Sequence, residues 1–407
     1  MSVVVPDILS PEFAADPYGL YASFREDFPV LLHEPTGAYI TSRYEDVSRV
    51  LSEPEFSARC YGRFLGAVVG GRVILELEGR EHTAHRRLVN PAVHGAGLKR
   101  IEGEIEEIER SLLSKFIARG SVDLVREFGD EFPIEVIMRL LALPVADGEQ
   151  IRRWYTSNVR FASNISGDPD VTAEAMEAGA AFQAYLRERI AERRSSDGDD
   201  LLSMLLSADL EGERMPEEEI LAFCGLLLTA GGETAGKAFA NMVRHLLEHP
   251  DQLEAVKADR SLIERAIAET LRFTPPNVIL QREPLIDVTL SNGAQIPRDS
   301  TIMCLVGAAN RDPRHFTDPD SFEINREDLA FRQAFAGGAN HVAFGAGRHF
   351  CLGAHLARAM LSIGMNLILD NLEDLRFADG WQPVERGIVT RGLESLKLEF
   401  TPRAMVR

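Results

Sequence analysis

Apolar residues recur at helical spacing through most of the first part of the chain and alternate in short runs elsewhere. A short amphipathic helix opens at Asp16-Pro17, where proline suits the first helical position, and runs to about Glu26. Pro29–Leu32 and Gly37–Thr41 read as a hairpin, and Tyr44–Leu51 as a short helix. Ala58–Gly79 is glycine-rich, with apolar Tyr61, Phe64, Leu65, Val68 and Val69 that look exposed. It reads as an irregular segment, either functional or a plain surface loop. Glu81–Val89 begins a basic helix; Leu98–Arg119, Asp123–Leu143, Asp147–Ser166 and Thr172–Arg194 carry helical periodicity; Leu201–Leu210 is short and apolar. Arg260–Arg272 is a further helix, stopped by Thr274-Pro275-Pro276. Short strands Val288–Ser291, Ala294–Ile296 and Thr301–Leu305 surround Asn292-Gly293, a strong turn signal. Leu375–Phe377 and Leu396–Phe400 read as closing strands. The pattern predicts a mainly α fold with a smaller β region, β-rich at about 29–42, 278–305 and 375–400.

The longest candidate helix, Pro216–Glu248, opens with Pro216 and the acids Glu217, Glu218 and Glu219, as a first turn favours. Gly231-Gly232-Glu233-Thr234 interrupts it. Each interior glycine costs about 1 kcal/mol relative to alanine, and a hydroxyl that competes for backbone carbonyls widens a turn. The tetrapeptide predicts local unwinding. It serves either a packing notch, crossed closely by another group, or a groove with Thr234 as alcohol and Glu233 as acid.

Composition narrows the function classes. The net charge of −19 over 407 residues argues against nucleic acid or an anionic membrane as partner. The N-terminus lacks a basic region followed by an apolar run, so neither a secretory signal nor an anchor is expected. Cys60, Cys224, Cys304 and Cys351 form no CxxC pair; structural zinc is disfavoured and a reduced, cytoplasmic chain fits. No repeat or linker marks a second domain, so 1–407 reads as a single domain without a fused flavin or iron–sulfur module.

The candidate chemistry gathers at Phe344-Gly345-Ala346-Gly347-Arg348-His349-Phe350-Cys351-Leu352-Gly353, a glycine-punctuated loop followed by an apolar-periodic helix. Glycine admits close approach and positive φ, and a helix N-terminus stabilises a thiolate. Alone, Cys351 reads as a small buried hydrophobe. The whole pattern, Phe-Gly-x-Gly-x-His-x-Cys-x-Gly, resembles the haem-ligand signature of the cytochrome P450 family. Further motifs follow in family order. His82 and Arg86, four apart on one helix face, resemble the propionate-binding His-x-x-x-Arg; taken alone they read as a solvated face. Gly-Gly-Glu-Thr resembles the acid–alcohol pair. Glu269-x-x-Arg272, with Arg326 in Asp318–Arg326, resembles the structural ion-pair network, a scaffold role.

The resemblance implies a mainly helical, single-domain fold with haem b between the Gly-Gly-Glu-Thr helix and the helix after Cys351. Cys351 would be the iron ligand. His82, Arg86, Arg282 and His349 would neutralise the propionates, and Phe344, Gly345, Gly353 and Gly231 would line the cofactor. Thr234 and Glu233 would manage protons during reductive O2 activation. Electrons would come from a separate ferredoxin or flavodoxin and reductase using NAD(P)H, with Arg348 a candidate contact. The enzyme is expected to be a cytoplasmic monomer of secondary metabolism acting on a small or medium apolar or aromatic molecule.

The candidate substrate lining is Phe64, Leu227, Val278, Ile279, Ile388 and Val389, mostly apolar. Arg160 and Arg391 are able to hold a carboxylate, but surface placement is the expectation for both. Ala266–Arg272, Gly307–Pro313, Arg326–Leu329 and the Thr390-Arg391-Gly392 turn resemble the bacterial branch that oxidises cyclic dipeptides to pulcherriminic acid, so such an oxidation is an alternative. A haem-thiolate gas-binding or sensing protein is the alternative of another class, though it needs no acid–alcohol pair.

Overall fold

The computed structural model describes residues 5–194, 198, 200–210 and 212–403. Its contacts divide the chain into two compact units, one from 5–56, 105–132 and 234–403 and the other from Ser57–Glu104 and Pro133–Glu233. The fold is mostly helical with a smaller share of strand.

In the first unit, β structure joins distant stretches of chain. Val30–His33 pairs antiparallel with Ala38–Thr41, as the alternation predicts. Ala38–Thr41 then runs parallel to Ile302–Leu305, which pairs antiparallel with Ile279–Pro284. A second sheet orders Leu372–Phe377, Lys397–Pro402 and Ser121–Asp123. Its helices include Tyr18–Glu26, Tyr44–Ser52, Thr234–Glu248, Pro250–Ala258, Ile263–Phe273 and Ala354–Asn371. Phe239 of Thr234–Glu248 is fully buried against the rings of Phe128 and Phe132, with centroids at 5.2 and 5.9 Å. The same helix approaches the backbone at Gly129 closely: a Cβ on Gly236 would lie 1.9 Å from the Gly129 carbonyl oxygen.

The second unit holds the helices Cys60–Val69, Gly79–Val93, Gly148–Ala162, Pro169–Arg193, Leu201–Ser207 and Glu217–Gly231. Pro169–Arg193 presses on Cys60–Val69, where a Cβ on Gly179 would stand 1.9 Å from the Val68 carbonyl oxygen. In each unit a glycine thus admits the close approach of another element's backbone carbonyl.

The structure corrects three readings. Ala58–Gly79 is not irregular throughout: Cys60–Val69 is a helix whose Leu65, Val68 and Val69 are buried with Ala222 and Leu226. Its glycines misled because one of them caps it. Gly70 adopts φ +80 and donates to the Gly66 carbonyl at 2.8 Å. Asp123–Leu143 is not one helix. Asp123 ends a strand, Val125–Gly129 forms a π turn closed by Asp130 N–H to the Val125 carbonyl at 2.8 Å, and Phe132–Leu140 follows as a separate helix. The strand forms because Leu398, far along the chain, pairs with Val122. Pro250–Ala258, which sequence periodicity does not single out, is helical behind Pro250 at its first position.

Candidate active site

The loop before Ala354–Asn371 is held by its own backbone. The Cys351 N–H donates to the Phe344 carbonyl at 2.9 Å, the Gly345 N–H to Val342 at 3.0 Å and the Phe350 N–H to Gly347 at 3.1 Å. Gly345 and Gly347 take φ of +70 and +66, which only glycine adopts freely. Gly353 is the N-cap, so Cys351 lies just ahead of the helix, and its side chain is half-buried. A Cβ on Gly353 would meet the Cys351 Sγ, at 3.9 Å, and nothing else within 4 Å, so the helix N-terminus leaves space beside the cysteine loop. Phe344 packs its ring against Phe350 of the same loop at 5.9 Å and against Phe335, which precedes the loop, at 6.1 Å.

Cationic groups follow in each unit. Arg282, on Ile279–Pro284, is 4% exposed. Among the described residues its guanidinium makes one hydrogen bond, to the Gln281 carbonyl at 2.8 Å, and no ion pair. A buried guanidinium with most of its donors unmet calls for an anion. His349 is buried on the cysteine loop of the same unit. His82 and Arg86 lie on Gly79–Val93 in the other unit, with His82 buried and Arg86 half-buried. Between them His85 joins Glu219 by its Nε2 at 2.7 Å and the Glu81 carbonyl by its Nδ1 at 2.8 Å. A thiol, a bare buried guanidinium and an open glycine loop together fit a haem and its carboxylates.

The long helix breaks where the sequence predicts. Glu217–Gly231 ends at Gly232, and Thr234–Glu248 begins anew, with Glu233 and Thr234 both half-buried. Both glycines admit side chains. A Cβ on Gly231 would lie 2.8 Å from Ile137 Cδ1, and one on Gly232 would lie 2.5 Å from the Tyr155 ring. The packing notch therefore has named occupants, and the chain unwinds at the same place.

The scaffold triad is assembled. Arg272, 0% exposed, grips Glu269 through Nε and Nη2, both at 2.7 Å. It also donates to the carbonyls of Asn310, Pro319 and Ser321 at 2.8–3.0 Å. Arg326 adds a contact to Glu269 at 3.3 Å. Next to it, His341 is fully buried; burial, with Arg272 nearby, pushes its pKa down to about 4.

Of the substrate-lining candidates, Val278 and Ile279 are buried, and Leu227, Ile388 and Val389 are half-buried. The Val278 N–H donates to the Val389 carbonyl at 2.9 Å, so these two stretches meet. The side chain of Phe64 lies outside the described residues. Arg160 is exposed, as expected, and pairs with Glu174. Arg391 corrects its expectation: it is 3% exposed. Its Nε donates to Glu385 at 3.0 Å, and its Nη atoms donate to the carbonyls of Ala14 and Ala15 at 2.8 and 2.7 Å. Glu385 also receives Arg244 at 2.6 Å and the Tyr18 hydroxyl at 2.9 Å. Burial raises the Glu385 carboxyl, and the guanidiniums of Arg244 and Arg391 hold it below the usual range. Sequence reading missed this cluster because its members are scattered along the chain. It also missed Asn158, 1% exposed on Gly148–Ala162. The available signal was an amide standing in the apolar stripe of that helix.

Comparison with known proteins gives concordant results. The family model for cytochrome P450 matches residues 164–387. Pulcherriminic acid synthase of Bacillus subtilis (strain 168) is 38% identical over 400 residues, covering 98% of each chain. Cytochrome P450 107B1 of Saccharopolyspora erythraea is 34% identical, over 96% of this chain and 97% of that one. The crystal structure of CalO2 superposes with a TM-score of 0.86 at 30% identity, over 98% of this chain and all of that one.

Proposed function

The chain belongs to the cytochrome P450 family of haem b monooxygenases, and from that premise we propose that its substrate is a cyclic dipeptide, oxidised in secondary metabolism. The observation that carries this reading is the 38% identity, over nearly the whole chain, to a protein named for making pulcherriminic acid. Charge placement supports it. Arg391 is committed to Glu385 and backbone carbonyls, and Arg160 is exposed on Glu174, so neither is offered to a substrate carboxylate. The apolar Leu227, Val278, Ile279, Ile388 and Val389 suit a neutral molecule.

When bound, haem b supplies reductive activation of O2, with two electrons and two protons consumed, one oxygen atom inserted and the other released as water. The electrons reach this family's enzymes from a ferredoxin or other external reductase and NAD(P)H. Cys351 Sγ would be the thiolate ligand, and the Phe344 ring would keep water from it, which would tune its donor strength. Arg282 and His349 would hold the haem carboxylates by charge-assisted hydrogen bonds, a role the family motif also gives to His82 and Arg86. Gly345 and Gly353 would line the cofactor by leaving room beside it, whereas the space beside Gly231 is taken by Ile137. Thr234 Oγ1, at the helix break, would donate a hydrogen bond to the oxygen undergoing reduction, and the half-buried Glu233 carboxyl would return protons to it from solvent, a general-acid role. Arg348 contacts the electron donor; Arg348→Glu is expected to slow ferredoxin-driven turnover.

Both units are built from discontinuous segments, which supports reading the chain as one catalytic domain, proposed to act as a monomer. NAD(P)H-linked supply supports the proposal of a cytoplasmic enzyme; among the described residues no helix is long and apolar enough to cross a membrane.

The test is a spectral titration of the ferric holoprotein with cyclic dipeptides, aromatic acids and terpenoids, followed by product analysis with a ferredoxin system. A shift to high spin with a cyclic dipeptide, and an oxidised product, is the expected result. A shift and product only with an aromatic acid or terpenoid refutes the substrate assignment.

A further inference from the structure

We propose that Asn158 is a specificity-determining residue whose side-chain amide hydrogen-bonds a neutral N–H-bearing group of the substrate, with the secondary amide of a cyclic dipeptide as the fitting case. The inference rests on the substrate reading above and adds the group that recognises it.

Asn158 is 1% exposed, and its Oδ1 accepts no hydrogen bond among the described residues. Most buried amides are satisfied, and one left unmet is a standing cost to the folded chain. Its place on Gly148–Ala162 explains why the described residues supply no partner. Residues three and four apart share a helix face, and each such neighbour of Asn158 with a described packing contact is aromatic. Trp154 stands 5.7 Å from Phe182 and 5.6 Å from Tyr185 of Pro169–Arg193. Tyr155 lies against Gly232, at the break that precedes Glu233 and Thr234. Phe161 packs with Leu65, Val68 and Leu226. The amide therefore sits on the buried stripe between residues that reach the Pro169–Arg193 helix and one that reaches the helix break.

A leucine of nearly the same size would fill this stripe without an unmet group, so packing alone does not call for asparagine. No charge accompanies the amide on its face: Arg153 and Arg160 of the same helix are more than half exposed and paired with Glu149 and Glu174. A charged ligand group there would be desolvated without a counter-ion, so the amide selects a neutral partner. A carboxamide presents an acceptor and a donor side by side. The cis amide that a six-membered cyclic dipeptide imposes presents the reciprocal pair, and the two close with two hydrogen bonds. N-methylation of the ring removes the donor that Oδ1 needs.

The test compares the haem-loaded wild type with Asn158→Leu, using cyclo(Leu-Leu) and its N,N′-dimethyl derivative as probes in the spin-state titration. The wild type is expected to bind the unmethylated ring about ten-fold more tightly, and the variant to lose that preference while still binding the methylated one. A preference retained in Asn158→Leu overturns the inference. If the wild type responds to neither ring, the substrate reading fails by itself, and acetanilide with N-methylacetanilide takes the place of the pair. There, a preference present in the wild type and absent in the variant upholds Asn158 as the reader of a neutral N–H; no preference in the wild type, or one shared by the variant, overturns it. Thermal melting without ligand separates a structural role: Asn158→Leu is expected to melt no lower than wild type, and a drop of several degrees, with no change in the preference, assigns the amide to the scaffold instead.

Discussion

Replacing Glu269 with glutamine tests the scaffold beside the cysteine loop at nearly constant shape. Glu269 Oε1 accepts from Arg272 at 2.7 Å, from the Glu323 N–H at 2.9 Å and from Arg326 at 3.3 Å, and Oε2 accepts from Arg272 Nε at 2.7 Å. Glutamine keeps one acceptor and turns an N–H2 towards a donor. The Arg272 guanidinium, 0% exposed, then remains buried with no anion, and Arg326 loses the same partner. Removing one member of a buried pair costs about 3–5 kcal/mol. The unfolding entropy of a chain of this length is about 0.85 kcal/mol per degree, from roughly 2.1 cal/mol/K per residue. The expected fall in Tm is therefore about 4–6 °C, measured by circular dichroism on the holoprotein at two salt concentrations. Buried pairs are poorly screened, so the fall should not shrink at high salt. Arg160→Ala, which removes a pair more than half exposed on both sides, should move Tm by less than about 1 °C. A Glu269→Gln shift no larger than that control, or one abolished by salt, would refute the assignment of a buried load to this triad.

The other predictions address different parts of the chain. Burial depresses the His341 pKa to about 4, so the folded state holds it neutral while the unfolded chain takes up a proton near pH 6.5; stability is complete above that value and falls, by roughly 3 kcal/mol in all, as pH drops towards 4. His341→Gln should flatten the Tm profile across that window, and an unchanged acid limb would contradict the assignment. Gly236→Ala should cost about 1–3 kcal/mol or more, because its Cβ meets the Gly129 carbonyl, whereas Gly103→Ala, exposed in a helix with nothing within 4 Å, should gain up to about 1 kcal/mol; urea denaturation compares them. Arg282→Leu should release haem to excess apomyoglobin about ten-fold faster or more, since the bare guanidinium would no longer meet a carboxylate; an unchanged transfer rate would remove Arg282 from the cofactor's ligands.

What the sequence determined by itself is what depends on near neighbours along the chain. The glycines and cysteine of 344–353 carry their φ angles and hydrogen bonds within one loop. The unwinding after Gly231 follows from four consecutive residues, and the Glu269–Arg272 pair follows from helical spacing. Tertiary structure decided the rest, because the deciding partner lies far away in sequence. Ser121–Asp123 is a strand only since Lys397–Glu399 lies beside it. Cys60–Val69 is a helix because Ala222 and Leu226 bury its apolar face, while its glycines cap and pack it. Arg391 is buried because Glu385 and the carbonyls of Ala14 and Ala15 converge on it. That Asn158 Oδ1 accepts no hydrogen bond among the described residues is visible only in the packed chain, where Trp154, Tyr155 and Phe161 of its helix pack on other elements. Periodicity states which face of an element is apolar; only the packed chain states what covers it.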